Sequence, residues 1–189
     1  MENLKFYERV KTLTDLIIEK HYNPLIIGKE NIPNNNFIIV SNHIDWKDPA
    51  LLLYAIDNQI KFMAKKEAFE NRLVKWFIEN MGSFPIDRNN KDLAAIKYTV
   101  KLLKEGNTVG IFPEGTRSKN KELLPFKSGT PGIARLSKTD ILPCGISGEY
   151  KKNGNLTLNI GKPINYKEFK KTEENEYLRE QVKSLILSR

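Results

Sequence analysis

Apolar positions along this chain switch between the period of a helix and the continuous runs of buried strands. Over residues 2–20, Phe6, Val10, Leu13 and Ile17 follow one another at helical spacing, with Lys5, Arg9, Lys11 and Lys20 supplying basic positions. The pattern predicts an amphipathic helix whose apolar face either lies in an anionic lipid surface or packs on the core. Residues 24–32 are short, with room for one strand, and Pro33-Asn34-Asn35-Asn36 reads as a turn. Phe37 to Val40 is a buried strand followed by the polar segment Ser41 to Lys47. Asp48-Pro49 has the form of a helix start, an acidic N-cap with proline at the first helical position, leading into Ala50 to Ile56.

Further strands are predicted at Ile60 to Ala64, at Gly82 to Arg88 with its loop, and at Thr108 to Phe112, Ile141 to Ile146 and Asn155 to Ile160. Helices are predicted in Lys65 to Asn80 (one or two), Lys91 to Lys104 (ended by Gly106), Thr130 to Ser137, and most of Tyr166 to Leu187. Pro113 to Gly129 reads as polar loop. Strands that alternate with helices argue for an α/β fold, a single domain whose mixed, largely parallel sheet is flanked by helices. Residues 1–23 form the N-terminal amphipathic segment and 24–189 the domain proper. No internal repeat or low-complexity tract divides it.

Composition narrows the partners. With 29% charged residues and 10% aromatics over 189 residues, the chain is globular rather than disordered. Its single cysteine, Cys144, cannot close an internal disulfide, which fits a reducing compartment. The net charge of +8 calls for an anionic partner: nucleic acid, an acidic membrane surface or a phosphorylated substrate. No apolar run is long enough to span a bilayer, and the charged N-terminus is unlike a signal peptide. A membrane protein with this sequence is expected to work from the surface.

With only two histidines, His21 and His43, candidates for a base near neutral pH are few. His43 directly follows the Phe37–Val40 strand, where α/β proteins present reactive side chains. Asp48 lies five residues on, about 140° away on one regular helix, so contact between them requires a turn of the chain. A carboxylate on one imidazole nitrogen would leave the other free to take a proton. Asp48 read as a helix cap, and Asp45 as a competing carboxylate, are the alternatives. A second polar cluster, Phe112-Pro113-Glu114-Gly115-Thr116-Arg117-Ser118, again follows a buried strand. Arg117 has the planar fork that holds a phosphate, and Gly115 lets backbone amides approach an anion. Arg88, in Ile86-Asp87-Arg88, and Lys127, just ahead of a helix, complete three cations suited to a phosphate monoester. Two distant histidines and one cysteine make no zinc site, and no dinucleotide or P-loop motif occurs.

These residues resemble, in order, the four motifs of the glycerolipid acyltransferase family, and within it the bacterial 1-acyl-sn-glycerol-3-phosphate acyltransferases. The match consists of Asn42-His43 with Asp48, Gly82 to Arg88, Phe112 to Ser118 and Leu142-Pro143, and it spans about residues 25–165. An HxxxxD pair alone is common by chance, but followed by a complete FPEGTRS it is specific. The resemblance implies a glycerol-3-phosphate acyltransferase-like fold and an O-acyltransferase. His43 would be the catalytic base and Asp48 its orienting partner. Arg88, Glu114, Gly115, Arg117 and, more weakly, Lys127 would hold the phosphate-bearing acceptor.

The implied reaction carries an acyl group from acyl-CoA or acyl-carrier protein to the free sn-2 hydroxyl of lysophosphatidic acid. It gives phosphatidic acid for phospholipid biosynthesis and needs no cofactor and no metal. The same transfer to another lysolipid or a small alcohol is the alternative, and a non-catalytic anionic-lipid-binding module is the reading from another class. Nucleic acid drops out, because the basic residues are dispersed and no nucleic-acid motif occurs. Three features depart from the family pattern: Pro85 stands in the second motif where an apolar residue is usual, the fourth motif, Ile141-Leu142-Pro143-Cys144-Gly145-Ile146, is small and permissive around the acyl-chain region, and the transmembrane segment that many relatives carry is not expected ahead of the domain. Surface docking on the cytoplasmic face of the cell membrane is therefore expected. Its candidates are Phe6 and Val10 in the first helix, and Phe69, Trp76 and Phe77 among Lys65, Lys66, Arg72 and Lys75.

Overall fold

A computed structural model describes residues 4–87, 92–127, 129–169 and 173–188. The strands are β1 (Leu25–Ile27), β2 (Ile38–Ser41), β3 (Ile60–Lys65), β4 (Phe84–Ile86), β5 (Thr108–Ile111), β6 (Ile141–Ser147) and β7 (Thr157–Ile160). The α-helices are α1 (Leu4–Tyr22), α2 (Asp48–Ala55), α3 (Arg72–Asn80), α4 (Leu93–Lys104), α5 (Thr130–Ser137) and α6 (Glu174–Leu187). One seven-stranded sheet runs in the order β1-β7-β6-β2-β5-β3-β4. The five strands from β6 to β4 are parallel, and β7 pairs antiparallel with β6. The sheet is therefore mixed and largely parallel, as the alternating pattern predicts. Its consequence for function is that β2, β3, β4 and β5 all end at the same edge.

Strand β2 reads as an unbroken apolar run because both of its faces are covered. Side chains alternate across a strand, so Phe37 and Ile39 join Leu51, Leu52, Ile56, Leu142 and Cys144 beneath α1 and α2. Ile38 and Val40 point the other way, into a cluster with Val109, Leu102, Ile133, Leu178 and Val182 from β5, α4, α5 and α6. Burial also raises the pKa of the Cys144 thiol well above its ordinary value, so that side chain acts as a small apolar one.

Several elements differ from their predicted form. In α1 the fully buried residues are Tyr7 and Ile18. Phe6 and Val10 are half-buried against the core, whereas Leu13 and Ile17 are exposed. The expected stripe is thus split between two faces. The hydroxyl of Tyr7 receives the Ile60 amide at 3.1 Å and donates to the Asn58 carbonyl at 3.3 Å, which anchors the helix to the start of β3. The Lys65–Asn80 segment breaks into a 3₁₀ turn (Lys66–Phe69) and α3, because Asn71 caps α3 by accepting from the Leu73 and Val74 amides. Helix α4 begins at Leu93 with Asp92 as its cap, and Lys91 lies outside the described residues. After β7 a 3₁₀ turn (Tyr166–Glu168) with a capping box precedes α6, so the helical stretch expected from Tyr166 begins properly only at Glu174. Pro85 sits exposed in β4 at the sheet edge, where a missing N–H removes no ladder bond from a further strand.

Candidate functional site

The site forms where β2 and β5, neighbours in the sheet, run out at their C-terminal ends. Just past β2, Asn42 continues the ladder with its side chain. Its Nδ2 donates to the Ile146 carbonyl at 2.8 Å and its Oδ1 accepts from the Ile146 amide at 2.7 Å. The next residue is thereby held at the lip of the sheet. There His43 Nδ1 lies 2.7 Å from Asp48 Oδ2.

The chain turns between the two residues, and the turn is built on Asp48 itself. The Ile44 and Asp45 amides also donate to Oδ2, at 2.7 and 2.8 Å, and the Tyr150 hydroxyl donates to Oδ1 at 2.8 Å. Asp48 is completely buried. As the first residue of α2 it caps no amide of its own helix, contrary to the expected capping role: its carboxylate organises the preceding loop instead. With donors around an acceptor-only group, the hydrogen of the neutral imidazole belongs on Nδ1 and the lone pair on Nε2. Asp45 is not a competitor. Its Oδ1 is taken by the Lys47 amide at 3.0 Å and the Lys47 ammonium at 2.8 Å. Partial burial works to raise the Asp45 pKa, but Lys47 and nearby Arg117 outweigh it and hold the carboxyl below its usual range.

The Phe112–Ser118 loop grips His43 from the other side. Glu114 Oε1 accepts the His43 amide at 2.6 Å, and the Ser118 amide donates to the His43 carbonyl at 2.8 Å. The Phe112 ring stacks on the imidazole, with centroids 4.2 Å apart and planes 19° from parallel. Glu114 Oε2 accepts the Leu124 amide at 2.9 Å, and the Lys127 amide donates to the Pro113 carbonyl at 2.8 Å. These bonds fold residues 122–127 back over the loop. Burial, only partly countered by the two backbone donors, pushes the Glu114 carboxyl above its ordinary pKa.

Gly115 has φ +69°, and a Cβ added there would press on the side chain of Lys127 about 2.9–3.0 Å away. The ammonium of Lys127 thus lies across the glycine. Arg117 is exposed on the flank of the loop beside Asp45. His43, Asp48, Glu114, Gly115, Arg117 and Lys127 are therefore brought to one end of the sheet. Arg88 lies outside the described residues; its chain neighbour Asp87 follows β4 at the same edge.

A cavity of about 250 Å³ opens beside the pair, lined by Ile44, Asp45, Lys121, Tyr150 and Lys151 among others. A larger one, about 1250 Å³, runs along β4 and beneath α4, touching Phe69, Phe84, Tyr98 and Leu102, and neither His43 nor Asp48 lines it. Neither residue lines the smaller cavity either, but Ile44, Asp45 and Tyr150 on its wall are the residues that donate to Asp48. Of the candidate lipid-contact residues, Phe6 meets Trp76 and Phe77 edge-on, at 5.1 and 5.8 Å between centroids. Val10 is half-buried on the core and Phe69 half-buried in the 3₁₀ turn.

Sequence reasoning passed over two residues. Phe112 lies inside a recognised motif, but nothing in its spacing says that its ring faces the imidazole. Tyr150 carries no motif at all and reaches Asp48 from 102 residues away.

Comparison with known proteins agrees with this geometry. A family model described as acyltransferase matches residues 24–147. The chain is 39% identical over 151 residues to a 1-acyl-sn-glycerol-3-phosphate acyltransferase of Bacillus subtilis, covering 76% of this chain and 75% of that one. It is 34% identical over 183 residues to the like-named protein of Streptococcus pneumoniae, covering 89% of this chain and 66% of the other. Among solved structures it resembles the 1-acyl-sn-glycerophosphate acyltransferase PlsC of Thermotoga maritima, with a TM-score of 0.77 and 28% identity over 99% of this chain and 83% of that one.

Proposed function

Because this chain belongs to the acyltransferase family, we propose that it acylates the free sn-2 hydroxyl of 1-acyl-glycerol-3-phosphate to give phosphatidic acid. The observation that carries the reading is the His43–Asp48 bond, locked at a sheet end beside a loop bearing Gly115, Arg117 and Lys127. The acyl donor is a thioester, acyl-CoA or acyl-carrier protein.

In this mechanism Asp48 holds the imidazole with Nε2 unprotonated, and Nε2 takes the proton of the acceptor hydroxyl as its oxygen attacks the thioester carbonyl. The tetrahedral intermediate collapses by breaking the carbon–sulfur bond. The leaving thiolate recovers the proton from His43, which returns to its starting state. Arg117, Lys127 and Arg88 supply positive charge for the acceptor phosphate, and Glu114 fixes the loop that carries Gly115 and Arg117. Holding both substrates in register contributes much of the rate.

The protein reaches its lipid substrate from the cytoplasmic face of the membrane. Among the described residues no helix is long and apolar enough to cross one. The exposed aromatic ridge where α1 meets α3 supports docking at the surface.

The test is thioester-dependent acylation of lysophosphatidate by purified protein across acyl-CoA and acyl-carrier protein donors. His43→Ala is expected to lower turnover by roughly 10²–10⁴-fold while the protein stays folded. Full activity in that variant would sink the base assignment. A panel of acceptors should show strong preference for those bearing phosphate, and equal rates on neutral alcohols would refute the assigned acceptor.

A further inference from the structure

The hydroxyl of Tyr150 donates to Asp48 Oδ1, the carboxylate oxygen that does not face His43. We propose that Tyr150 is a positioning residue that sets, through Asp48, the basicity of His43, so that the working unit is the line Tyr150–Asp48–His43. The proposal rests on the reading of His43 as the base.

Tyr150 is placed with care by its surroundings. Strand β6 ends at Ser147, and Gly148 at φ +87° turns the chain, in a spot where an added Cβ would collide with the Asn155 carbonyl. The Glu149 amide then bonds the Gly154 carbonyl at 2.9 Å, and the Lys151 amide the Glu149 carbonyl at 2.8 Å, closing the turn that carries the tyrosine. Its ring is met edge-on by Tyr22, from the last turn of α1, at 5.5 Å between centroids. The Lys47 ammonium sits 4.9 Å from the ring centre. A phenylalanine would satisfy these ring contacts equally well. The hydroxyl, however, is aimed at a fully buried carboxylate whose other oxygen bonds the imidazole. Burial and the charge of Asp48 push the phenol's pKa far above its ordinary value, so it remains a donor at any working pH.

A donor on Oδ1 draws charge away from the carboxylate and weakens its hold on an imidazolium. Removing it should strengthen that hold and raise the pKa of His43. The other charged groups packed around the pair stay in place: Asp45 with Lys47 from the same loop, Glu114 and Arg117 from the loop after β5, Lys127 across Gly115, and Glu149 with Lys151 from the β6–β7 turn, Glu149 being paired also with Lys121 from the loop after β5.

The experiment compares Tyr150→Phe with site-specific replacement of Tyr150 by a ring-fluorinated tyrosine, a stronger donor of the same shape. With only two histidines in the chain, the His43 resonance is identified by the loss of one signal in His43→Ala, and its pKa followed by NMR without any turnover. Tyr150→Phe should raise that pKa by about half a pH unit or more. It should also move the acid limb of the kcat profile upward and lower kcat roughly tenfold with little change in KM. The fluorinated residue should move the pKa and the limb the opposite way. A merely structural tyrosine would give no such reversal of sign. Equal His43 pKa values in all three proteins, or shifts of the same sign, would overturn the proposal. If Tyr150→Phe does not fold, the fluorinated protein decides by its downward shift or lack of one. His43→Ala keeping full turnover would instead remove the base reading while the NMR shifts still report the Tyr150–Asp48–His43 coupling.

Discussion

Glu114 is the residue whose chemistry departs most from its outward look. A glutamate next to an arginine at a sheet end suggests a partner for substrate, yet both carboxylate oxygens accept main-chain amides, from His43 and Leu124. Glutamine offers one acceptor oxygen and would set an NH2 against the second amide. Glu114→Gln is therefore expected to destabilise the fold by about 1–3 kcal/mol, measured by urea unfolding, even though it removes a buried charge. The same burial gives a pH signature. Because the folded carboxyl titrates above its ordinary value, the native state keeps this proton to higher pH than the unfolded chain. The stability this adds is fully present below the ordinary carboxylate pKa and is lost as pH rises through the raised one. The margin of the wild type over Glu114→Gln should thus shrink as pH rises from the ordinary carboxylate range through the raised pKa of Glu114. A margin that grows over that range would show that Glu114 is not held in a desolvated site. Asp48→Asn is expected to cost more than Glu114→Gln in turnover, since a carboxamide cannot serve His43, two amides and Tyr150 together.

At the scale of elements, β5 positions His43 through an aromatic stack that begins one strand away. Phe62 on β3 lies over β5 and stacks on Phe112 at 6.0 Å, and Phe112 stacks on His43. The space for Phe62 exists because Gly110 has no side chain, and a Cβ there would overlap the Phe62 ring. Gly110→Ala should displace Phe62, loosen the stack and cost about 1–3 kcal/mol of stability, with a fall in kcat. Adding Phe62→Leu to that variant should recover part of the stability, a coupling that a double-mutant cycle measures directly. Independent, additive effects would mean that the two side chains do not compete for the same space. The contrast with what the sequence discloses is instructive here. The mixed, largely parallel sheet and the placement of His43 and Glu114 just past strand ends follow from apolar runs that end in polar turns, so those features were legible; the strand order was not. The need for glycine at 110 was not, because no positive φ or turn marks it and its partner lies on another strand. Tyr150 was hidden for the same reason: local periodicity carries no record of a contact made across the fold. The face of α1 was misread because Tyr7, an amphipathic residue, takes an inner position that the simple apolar stripe gave to others.

For the whole molecule, the net charge of +8 and the exposed apolar side chains concentrate the question of how the sheet meets a lipid substrate. Helix α3 buries none of its residues, and Leu73 and Trp76 are 79% and 57% exposed. Trp76 and Phe77 join Phe6 of α1, so one aromatic ridge is shared by two helices. The same two helices carry basic residues, Arg72 and Lys75 on α3 and Lys5 and Arg9 on α1, of which Lys75 pairs with Glu79 at 3.8 Å. On an anionic surface each basic residue contributes about 1 kcal/mol, and apolar side chains leaving water add about 25 cal/mol per Å². Neither contribution is available to these exposed groups in solution. Leu73→Ser combined with Trp76→Ser should therefore lower stability only by the share of the Phe6–Trp76 contact, about 0.5–1.5 kcal/mol, while binding to phosphatidylglycerol-containing vesicles falls on the order of tenfold or more. Arg72→Gln with Lys75→Gln should weaken binding chiefly at low salt, because screening already removes that share at high salt. Turnover of a short-chain, water-soluble lysophosphatidate should be the same in all of these variants, since none of the substituted residues borders His43 or Asp48. Vesicle binding that survives both pairs of substitutions would place the membrane-facing surface elsewhere on the molecule, with the outward Leu13, Leu16 and Ile17 of α1 the next region to substitute.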